Sequence, residues 1–318
     1  MMSMKTNGAS PTALATGLAP IAWGTTYVTI TELLPDGRPL LVAWLRVAPA
    51  GLVLVLLGTL VSRWRPHGRE WGRTVALAVC NFGLFFPLLF VAVYRLPGGV
   101  AAAVGGVQPL LVLLLTRVVT GARPRPRDLA VGVVAAVGVG LVVVRPGADI
   151  DPVGLLAAVA ANVSFSMGVV LTKRFPAPAN RLAATGWQLL VGAVLLAPIA
   201  LLVEGPPPAL TGRNLAGIAY LSLVGTALAY VLWFRGIRRL PAAAPPLLGL
   251  AAPVTGAVMG WVVLGEDLAP LQLFGFAVTL SAIAYGATLG SRPAVVAPAE
   301  APVPPTVPVL DPVPACAL

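Results

Sequence analysis

The chain has 318 residues, of which 58% are hydrophobic and only 10% are charged, whereas soluble domains carry about 25% charged residues. This composition excludes a water-soluble globular protein. The formal net charge is +10, which in a soluble protein would suggest a nucleic-acid partner. Its meaning here depends on where the basic residues lie relative to the apolar segments.

Long apolar segments follow one another along the chain, separated by short stretches rich in proline, glycine and charge. A helix needs about 20 mostly apolar residues to cross a bilayer, because lipid offers no partner for backbone polar groups and the helix satisfies them internally. The pattern predicts ten membrane spans, at residues 11–33, 40–62, 72–93, 97–119, 128–145, 152–172, 182–203, 213–235, 241–264 and 268–290.

Two tails are predicted outside the spans, at residues 1–10 and 291–318. The C-terminal tail contains eight prolines and has no period that could bury a face, so we expect it to be disordered. The first apolar segment is too long for a signal peptide and lacks a small-residue cleavage pattern after a basic start. We therefore expect it to be retained as a span.

Lys and Arg residues are concentrated in alternate loops. One set of loops and tails contains sixteen of them: Lys5, Arg63, Arg65, Arg69, Arg73, Arg117, Arg123, Arg125, Arg127, Lys173, Arg174, Arg181, Arg235, Arg238, Arg239 and Arg292. The other set contains four: Arg38, Arg95, Arg145 and Arg213. Because cytoplasmic loops carry the positive excess, both termini of this multi-pass protein are predicted to be cytoplasmic, in the cell (plasma) membrane. Topology then accounts for the net charge, and no nucleic-acid partner is expected.

An internal repeat is visible in the spacing of short motifs. Arg95-Leu96-Pro97 is followed by Pro109 twelve positions after its proline, and Arg239-Leu240-Pro241 is followed by Pro253 at the same spacing. Self-similarity of this kind fixes an architecture before any other signal does. The first five spans are therefore predicted to repeat as the last five.

A second correspondence supports the same repeat. Trp23 and Arg46 are separated by 23 positions, as are Phe165 and Gln188 in the second half. Because each half has an odd number of spans, the second copy must be inverted relative to the first. Inverted repeats are typical of secondary transporters, whose substrate site lies near the middle of the membrane between the halves.

The fold predicted from these patterns is an all-α membrane protein with ten transmembrane helices arranged as two inverted five-helix repeats. The first repeat is assigned to residues 11–145 and the second to residues 152–290. The expected partners are the lipid bilayer and a small-molecule substrate.

Short motifs are distributed over spans one, two, four and nine: Ala22-Trp23-Gly24-Thr25-Thr26-Tyr27, Leu45-Arg46, Gln108-Pro109-Leu110, Ala252-Pro253-Val254 and Leu264-Gly265-Glu266. In their order and duplication they resemble the EamA-type transporters of the drug/metabolite transporter (DMT) superfamily, over residues 11–290. The stretches Ile30–Pro35 and Val231–Ile237 resemble the PecM-like pigment exporter branch of that family. The resemblance implies export of small metabolites or drugs.

The sequence offers no catalytic constellation. The single histidine, His67, lies in an Arg-rich loop, and the two cysteines, Cys80 and Cys316, lie in a span and in the tail. No nucleophile and base pair and no metal cluster is therefore expected. A phosphate-binding glycine loop is missing too, so neither ATP nor any cofactor is expected. The alternative to a transporter is a non-transporting membrane sensor or assembly protein, although a sensor is expected to carry a sizeable soluble output domain.

The positions of the acidic residues do not identify an ion whose movement could be coupled to transport. All eleven lie at span ends, in loops or in the tail, whereas proton-coupled carriers commonly place a carboxylate in the middle of the membrane. The protein is either a uniporter or is coupled through other groups.

Arg46 is the basic residue inside a span. A cation at the centre of a span costs about 2.5–3.5 kcal/mol on insertion scales unless it finds a partner or water, so Arg46 must face the protein interior. Two roles are open: a structural arginine tied to backbone carbonyls and amide side chains, or a cavity residue that pairs with a substrate carboxylate or phenolate. Gln188, its counterpart in the repeat, has the same two alternatives.

Aromatic and polar side chains within the spans predict the substrate site. Aromatic rings supply contact area for a planar ligand with little loss of entropy. The predicted substrate-binding residues, expected mostly to border one central cavity, are Trp23, Thr26, Tyr27, Arg46, Phe82, Gln108, Phe165, Gln188, Tyr230 and Trp233. With Arg46 as the single fixed charge, this set favours a planar or amphiphilic substrate that is neutral or singly anionic.

Small and helix-breaking residues complete the predictions. Pro109 and Pro253 break their helices at matching depths, which suits a hinge or a kink that shapes the cavity. Small residues recur as stripes, at Gly132, Ala136 and Gly140 in span five and at Gly256 and Gly260 in span nine. They predict close packing between neighbouring helices, with a homodimer face as the alternative.

Overall fold

The structure is a computed structural model that describes residues 10–35, 37–96, 104–143, 151–264 and 269–289. Within these ranges the chain is helical and contains no strand. The predicted tails, except Ser10, lie outside the described residues.

The helices of the first half are α1 (Pro11–Gly24), α2 (Thr26–Leu33), α3 (Pro39–Val61), α4 (Arg69–Ala78), α5 (Phe85–Arg95), α6 (Gln108–Thr120) and α7 (Pro126–Val143). Those of the second half are α8 (Pro152–Arg174), α9 (Arg181–Glu204), α10 (Gly212–Ser222), α11 (Ala229–Arg239), α12 (Ala244–Gly249), α13 (Ala251–Leu264) and α14 (Pro270–Leu289). Two π-helical segments, π1 (Val79–Gly83) and π2 (Leu223–Leu228), join α4 to α5 and α10 to α11.

Seven helical segments of the described part are long and apolar enough to cross a membrane: Pro39–Val61, Arg69–Leu89, Pro152–Arg174, Arg181–Glu204, Gly212–Arg239, Ala244–Val263 and Pro270–Leu289. A shorter apolar helix, Gln108–Thr120, accompanies them. The chain is therefore an all-α, multi-pass membrane protein. The count of ten spans stays a prediction.

Local sequence signals explain where many helices begin. Proline suits the first turn because its fixed φ is helical and its missing N–H would have no partner there. Helices that begin at a proline start at Pro11, Pro39, Pro126, Pro152 and Pro270. Ser10, Asp151 and Asn180 each cap a helix by accepting a hydrogen bond from the backbone N–H three residues later, at 3.1, 2.7 and 3.0 Å.

Glycines let α3 and α9 pack closely along their length. A Cβ atom on Gly58 would lie 2.6 Å from the Cβ of Ala183, and one on Gly186 would lie 2.6 Å from the backbone nitrogen of Val55. Small residues at such positions let helix backbones approach each other, which is how helices associate in lipid. The two helices that pack here come from different halves of the chain.

The pairing of α7 with α14 also uses glycine, but not the stripe predicted from the sequence. A Cβ on Gly138 would lie 2.7 Å from the Thr279 hydroxyl oxygen, and one on Gly275 would lie 2.8 Å from the Gly138 carbonyl oxygen. Gly132 packs against Leu110, whereas Gly140 has open space around it. Gly138 therefore takes the contact position that the stripe gave to Gly140.

The remaining contacts between the halves follow a matched pattern. Helix α1 packs against α11 and α13, and α8, which begins the second half, packs against α5 and α6. In each case the first long helix of one half packs against later helices of the other half. The offset between Val79 and Leu223, where π1 and π2 begin, equals the offset between Pro109 and Pro253.

Both predicted hinge prolines lie just beyond an interruption of a helix. Gly106 and Val107 form a turn before α6, in which Pro109 is the second residue. Leu250 separates α12 from α13, and Pro253 is the third residue of α13. A hinge role for the prolines stays a prediction.

Contacts between loops and helix ends define one end of the bundle. The Asn180 side chain donates hydrogen bonds to the Gly58 carbonyl and the Ser62 hydroxyl, both at 2.8 Å, which joins the start of α9 to the end of α3. Arg238 donates to the Phe175 carbonyl at 2.9 Å, which joins the ends of α11 and α8. We call this the basic end, since segments 62–69, 121–127, 173–181 and 235–239 supply its Lys and Arg residues.

The other end of the bundle, here called the opposite end, carries fewer basic residues. The Glu204 carboxylate accepts hydrogen bonds from the backbone nitrogens of Leu40 and Leu41, both at 2.8 Å, and so caps α3 from the end of α9. Arg213 pairs with Glu32 at 3.4 Å. These contacts join α9 to α3 and α10 to α2 at the opposite end.

Candidate functional site

A cluster of aromatic side chains occupies the interior between the two ends. The Trp23 ring in α1 lies 5.2 Å from both Tyr230 and Trp233 in α11, and 6.1 Å from Phe165 in α8, measured between ring centroids. Tilted and edge-on ring pairs at these distances are favourable. Four predicted site residues from both halves of the chain are thus in contact.

The cluster continues through π1 and α5. Phe82 lies 5.0 Å from Tyr230, and Phe86 lies 6.3 Å from Phe82. Phe85 lies 4.9 Å from Phe165. Trp233 and Phe82 are fully buried at 0% exposure, so in this conformation the rings pack against one another and do not border an open central space.

Arg46 lies beside this cluster and is 8% exposed. Its Nε donates to the Thr226 hydroxyl at 3.0 Å, and its Nη2 donates to the Gly225 carbonyl at 2.9 Å. The guanidinium carbon is 5.8 Å from the centroid of the Phe86 ring, close enough for a cation–π interaction. The charge inside the span is therefore contacted by a hydroxyl, a backbone carbonyl and an aromatic ring.

The π2 segment explains why Gly225 has a carbonyl available. A π-helical turn displaces the usual hydrogen-bond pattern, and such turns are frequent at functional sites. The Thr226 hydroxyl donates back to the Leu221 carbonyl at 2.7 Å, while the Gly225 carbonyl also accepts from Trp23 Nε1 at 3.1 Å. One carbonyl thus joins α1, α3 and π2.

Several buried polar atoms have no hydrogen-bond partner among the described residues. They include Trp233 Nε1, Gln108 Nε2, Thr26 Oγ1 and Gln188 Oε1. An unsatisfied buried polar group costs about 1–3 kcal/mol, so these atoms are suited to bind a ligand or water. All four belong to residues predicted from the sequence.

Two of these residues meet at the interruption between α12 and α13. A Cβ atom on Gly249 would lie 3.4 Å from the far edge of the Trp233 ring and 3.6 Å from Gln108 Oε1. Gly249, the last residue of α12, therefore lies beside both the Trp233 indole and the Gln108 amide. Their N–H groups are buried and free of protein acceptors in the described part of the chain.

Two of the cavities between the described helices lie in the basic-end half of the structure. The first has a volume of about 250 Å³ and is lined by residues of α8, α9 and α11, with Gln188 among them. The second has a volume of about 340 Å³ and is lined by residues of α6, α8 and α11, by Ala242 before α12 and by Pro245 in α12. Thr172 lines the first cavity and Lys173 the second, so the α8 backbone lies between them.

The structure distributes the predicted site residues over several places. Trp23, Phe82, Phe165, Tyr230 and Trp233 form the aromatic cluster, with Gln108 beside it, Gln188 lines the first cavity, Arg46 lies beside Phe86, and Thr26 begins α2. The side chain of Tyr27 lies outside the described residues. A common substrate cavity for the set stays a prediction.

Sequence reasoning missed two kinds of participant. Backbone carbonyls are one predicted kind of partner for Arg46, but the sequence does not identify Gly225 as the one that anchors it, because a backbone acceptor freed by a π turn leaves no side-chain signal. Phe85 and Phe234 extend the cluster, Phe234 lying 5.5 Å from Tyr230. Both are adjacent to other aromatic or polar residues of the spans, which is the signal that could have found them.

Over the described residues the structure contains no group of three or more His, Cys, Asp or Glu side chains that could hold a metal ion. The His67 ring lies 3.8 Å from Glu70 in the same loop region, and both side chains are exposed. The chemistry available in the interior is therefore hydrogen bonding, ring stacking and a single buried cation.

The chain thus combines the helical architecture of a multi-pass membrane protein with an interior to which both of its halves contribute, and comparison with known proteins gives its class. The model of the EamA-like transporter family matches residues 11–144 and again residues 152–285. The chain therefore belongs to the EamA-like transporter family, as its motifs indicated, and carries two copies of the family's domain.

Individual relatives agree with this assignment. Protein PecM of Dickeya dadantii is 39% identical over 267 residues, which cover 83% of this chain and 88% of PecM. A probable amino-acid metabolite efflux pump of Salmonella typhimurium is 28% identical over 293 residues, covering 86% of this chain and 94% of the pump. A solved crystal structure matches with a TM-score of 0.73 at 22% identity, over 90% of this chain and 100% of the other. That match concerns the fold alone.

Proposed function

We propose that this protein is a secondary-type transporter that exports a small planar or amphiphilic metabolite or drug by alternating access. The observation that carries the proposal is the buried aromatic cluster, to which both halves of the chain contribute. The anchored Arg46 lies on its side toward the opposite end, and two cavities open on its side toward the basic end. Rings from both repeats are suited to hold a flat ligand between them.

The proposed architecture is ten spans in two inverted five-helix repeats. The exchange of helix pairs supports it, because α1 contacts α11 and α13 as α8 contacts α5 and α6. The matched positions of π1 and π2 support it as well. In such folds the substrate site lies between the repeats near the middle of the membrane, and the position of the aromatic cluster between the two ends of the bundle supports the same site here.

The proposed orientation places the basic end and both termini in the cytoplasm. Lys and Arg are concentrated in loops at that end, and the positive excess of loops predicts the cytoplasmic side. For a bacterial-type carrier of this family the membrane would be the cell membrane. The two cavities would then open toward the cytoplasm, which is the side where an exporter loads its substrate.

A gating role for Arg46 follows from its contacts. Its bonds to Thr226 and Gly225 tie α3 to π2 and hold the opposite side closed. Access from the opposite side would require these bonds to break, and the exposed guanidinium would then border the pathway. The same residue would serve as a structural tie in one state and as an anion-binding group in the other.

The direction of transport is supported by a relative and by the cavities. The Salmonella typhimurium protein is described as a probable amino-acid metabolite efflux pump, and the cavities open at the end assigned to the cytoplasm. In export the substrate binds first from the cytoplasmic side, which is the side to which these cavities are assigned.

Transport into everted membrane vesicles tests the proposal. In everted vesicles the cytoplasmic side faces the assay medium, so export appears as uptake. We expect vesicles that contain the protein to accumulate planar aromatic metabolites above vesicles without it. Accumulation of sugars alone, or of no compound in the panel, would contradict the proposed function.

A further inference from the structure

The first cavity carries an unusual concentration of arginine. Arg181 at the start of α9 and Arg235, Arg238 and Arg239 near the end of α11 all line it. Its lining contains no Asp or Glu. Four guanidinium groups around one cavity of about 250 Å³ create a positive potential that nothing in the lining neutralises.

The arginines are free to turn toward a ligand. Arg181, Arg235 and Arg239 are exposed, and none of the four makes an ion pair with a carboxylate of the described residues. Arg238 uses one nitrogen, Nη1, for the Phe175 carbonyl at 2.9 Å. Guanidinium groups suit carboxylate and phosphate oxygens because their paired N–H groups match the geometry of such anions.

Polar atoms of residues that line the cavity lack partners. Gln188 is 7% exposed, and its Oε1 makes no hydrogen bond with the described residues. Thr172 is 2% exposed and its hydroxyl is likewise unpartnered. Both residues line the cavity. A ligand that reaches them would satisfy Gln188 Oε1 by donating a hydrogen bond.

Arg181 and the buried Gln188 amide lie at different depths in the cavity, as their positions along α9 indicate. Arg181 and Gln188 are seven residues apart on this helix, which corresponds to about 10 Å along its axis. Phe234 and Val231 form apolar wall between the arginines and the inner end. The cavity therefore has a cationic mouth, an apolar middle and a buried acceptor at its inner end.

We propose that this cavity is a binding site for organic anions whose far end carries a hydrogen-bond donor, such as hydroxylated aromatic carboxylates. The inference rests on the proposed function, because it treats the cavity as the loading site of the carrier. The anionic group binds the arginines at the mouth, the ring lies along Phe234, and the hydroxyl donates to Gln188 Oε1. The site narrows the substrate class to molecules with one anionic end.

The same anionic chemistry occurs in phospholipid headgroups. The phosphatidylglycerol headgroup carries a phosphate and a short flexible glycerol but no rigid ring that ends in a donor, so it would use the arginines and leave Gln188 unpartnered. The features at the inner end therefore favour a soluble organic anion. A lipid headgroup becomes an outcome that the experiment must separate.

The test uses the full chain in phosphatidylcholine nanodiscs and three probes. They are 4-hydroxycinnamate, its uncharged amide, and cinnamate, which lacks the hydroxyl. Isothermal titration calorimetry measures the affinity of each probe. We expect 4-hydroxycinnamate to bind at least about tenfold more tightly than the amide, since a hydrogen bond to a charged group is worth that much or more.

Two variants and a matched control locate the site. The double variant Arg235→Gln, Arg239→Gln is expected to weaken 4-hydroxycinnamate binding at least about tenfold. Gln188→Leu is expected to weaken 4-hydroxycinnamate but not cinnamate, which has no donor for the amide oxygen. The control is Arg174→Gln, an exposed arginine of the same end that lines the second cavity. Binding to this control should match that of the unchanged protein.

Three results would overturn the proposal. One is equal affinity for the acid and its amide, and another is an equal loss in Arg174→Gln and the double variant. The third requires two observations with phosphatidylglycerol nanodiscs. The unchanged protein no longer binds 4-hydroxycinnamate in them, and native mass spectrometry shows that it retains phosphatidylglycerol whereas the double variant does not. Together these observations would assign the site to a lipid headgroup.

Failure of this site and failure of the transport function give different results. If vesicles transport planar compounds but the affinity for 4-hydroxycinnamate is the same in the unchanged protein and the double arginine variant, the anion site is wrong and the transport function stands. If 4-hydroxycinnamate binds as described but no compound crosses the membrane, the site stands and the transport function is wrong.

Discussion

Arg46 Nε and the Thr226 hydroxyl oxygen lie 3.0 Å apart, although 180 positions separate the two residues in the chain. Both side chains are buried. The contact joins a cation inside α3 to the π-helical segment π2, so the position of the charge depends on the local shape of a helix in the other half. A change in either element is therefore expected to alter the other.

Replacing Arg46 tests this coupling directly. In Arg46→Ala the hydrogen bonds to Thr226 and Gly225 are lost, and bonds to charged groups are worth about 1.5–3 kcal/mol each. We expect the variant to accumulate in the membrane, to unfold at a lower temperature, and to lose at least about tenfold in export rate. Thermal unfolding of the purified protein and vesicle uptake provide the two measurements.

Arg95→Ala is the control for loss of an arginine, because Arg95 makes an exposed ion pair with Asp151 at 3.5 Å, a kind of pair that contributes little to stability. If Arg46→Ala fails to accumulate at all while Arg95→Ala accumulates normally, Arg46 has a structural role only. Normal export by Arg46→Ala would refute the gating role.

Thr226→Val removes the hydroxyl at nearly constant volume. It eliminates the bond from Arg46 and the bond to the Leu221 carbonyl, which lies at 2.7 Å. We expect a loss of about 1–3 kcal/mol in stability because a charged donor loses its acceptor. Thr279→Val is the matched control, since Thr279 is also buried and its hydroxyl bonds to the Gly275 carbonyl of its own helix. Equal unfolding temperatures for the two variants would contradict a special role for Thr226.

The sequence predicts the setting of Arg46 better than its partners. Hydropathy shows that this arginine lies inside a span, and the cost of a lone charge in lipid requires it to face the protein. Its actual partner at 2.9 Å is the Gly225 carbonyl, which became available because of a π turn. Backbone acceptors created by helix irregularity depend on tertiary structure, so composition and spacing do not reveal them.

Helix pairing shows the same division between what is predictable and what is not. Hydrophobic length and the repeat indicate which segments are helices, and family resemblance indicates the fold. The residue that permits close approach is different: Gly138, not Gly140, contacts α14. Both are glycines in one apolar helix, and the rotation of that helix about its axis is set by its neighbours, which the sequence alone does not describe.

Gly138 and Gly140 provide a matched pair for testing this packing. A Cβ on Gly138 would lie 2.7 Å from Thr279 Oγ1 and 2.9 Å from a Val278 methyl carbon, whereas one on Gly140 meets no atom within 4 Å. Gly138→Ala is expected to destabilise the protein by about 1–3 kcal/mol through overpacking. Gly140→Ala should be neutral or slightly stabilising, because alanine favours helix by about 1 kcal/mol over glycine. Unfolding in a graded detergent series would compare them, and an equal response to both changes would argue against the α7–α14 contact.

Fusions to alkaline phosphatase test the orientation, because this enzyme is active only outside the cytoplasm. We expect activity for a fusion at Pro207, in the segment between α9 and α10 at the opposite end. A fusion at Arg125, in the segment between α6 and α7 at the basic end, should be inactive. The reverse pattern would show that the bundle is inserted upside down, and the two cavities would then face outward.

The two tryptophans of the aromatic cluster differ in one measurable respect. Trp23 Nε1 donates to the Gly225 carbonyl at 3.1 Å, whereas Trp233 Nε1 is buried and has no partner among the described residues. Their rings are 5.2 Å apart. Replacing each with phenylalanine keeps an aromatic ring and removes the N–H, so the pair separates the donor from the ring.

We expect different effects on stability. Trp233→Phe removes an unsatisfied buried donor but leaves a cavity beside a smaller ring, so the two contributions oppose each other and its unfolding temperature should stay close to that of the unchanged protein. Trp23→Phe breaks a made hydrogen bond, which costs about 0.5–1.5 kcal/mol. If the free donor of Trp233 serves the substrate, Trp233→Phe should nevertheless reduce vesicle uptake about tenfold. A stable Trp233→Phe with unchanged uptake would mean that this N–H does not bind the substrate.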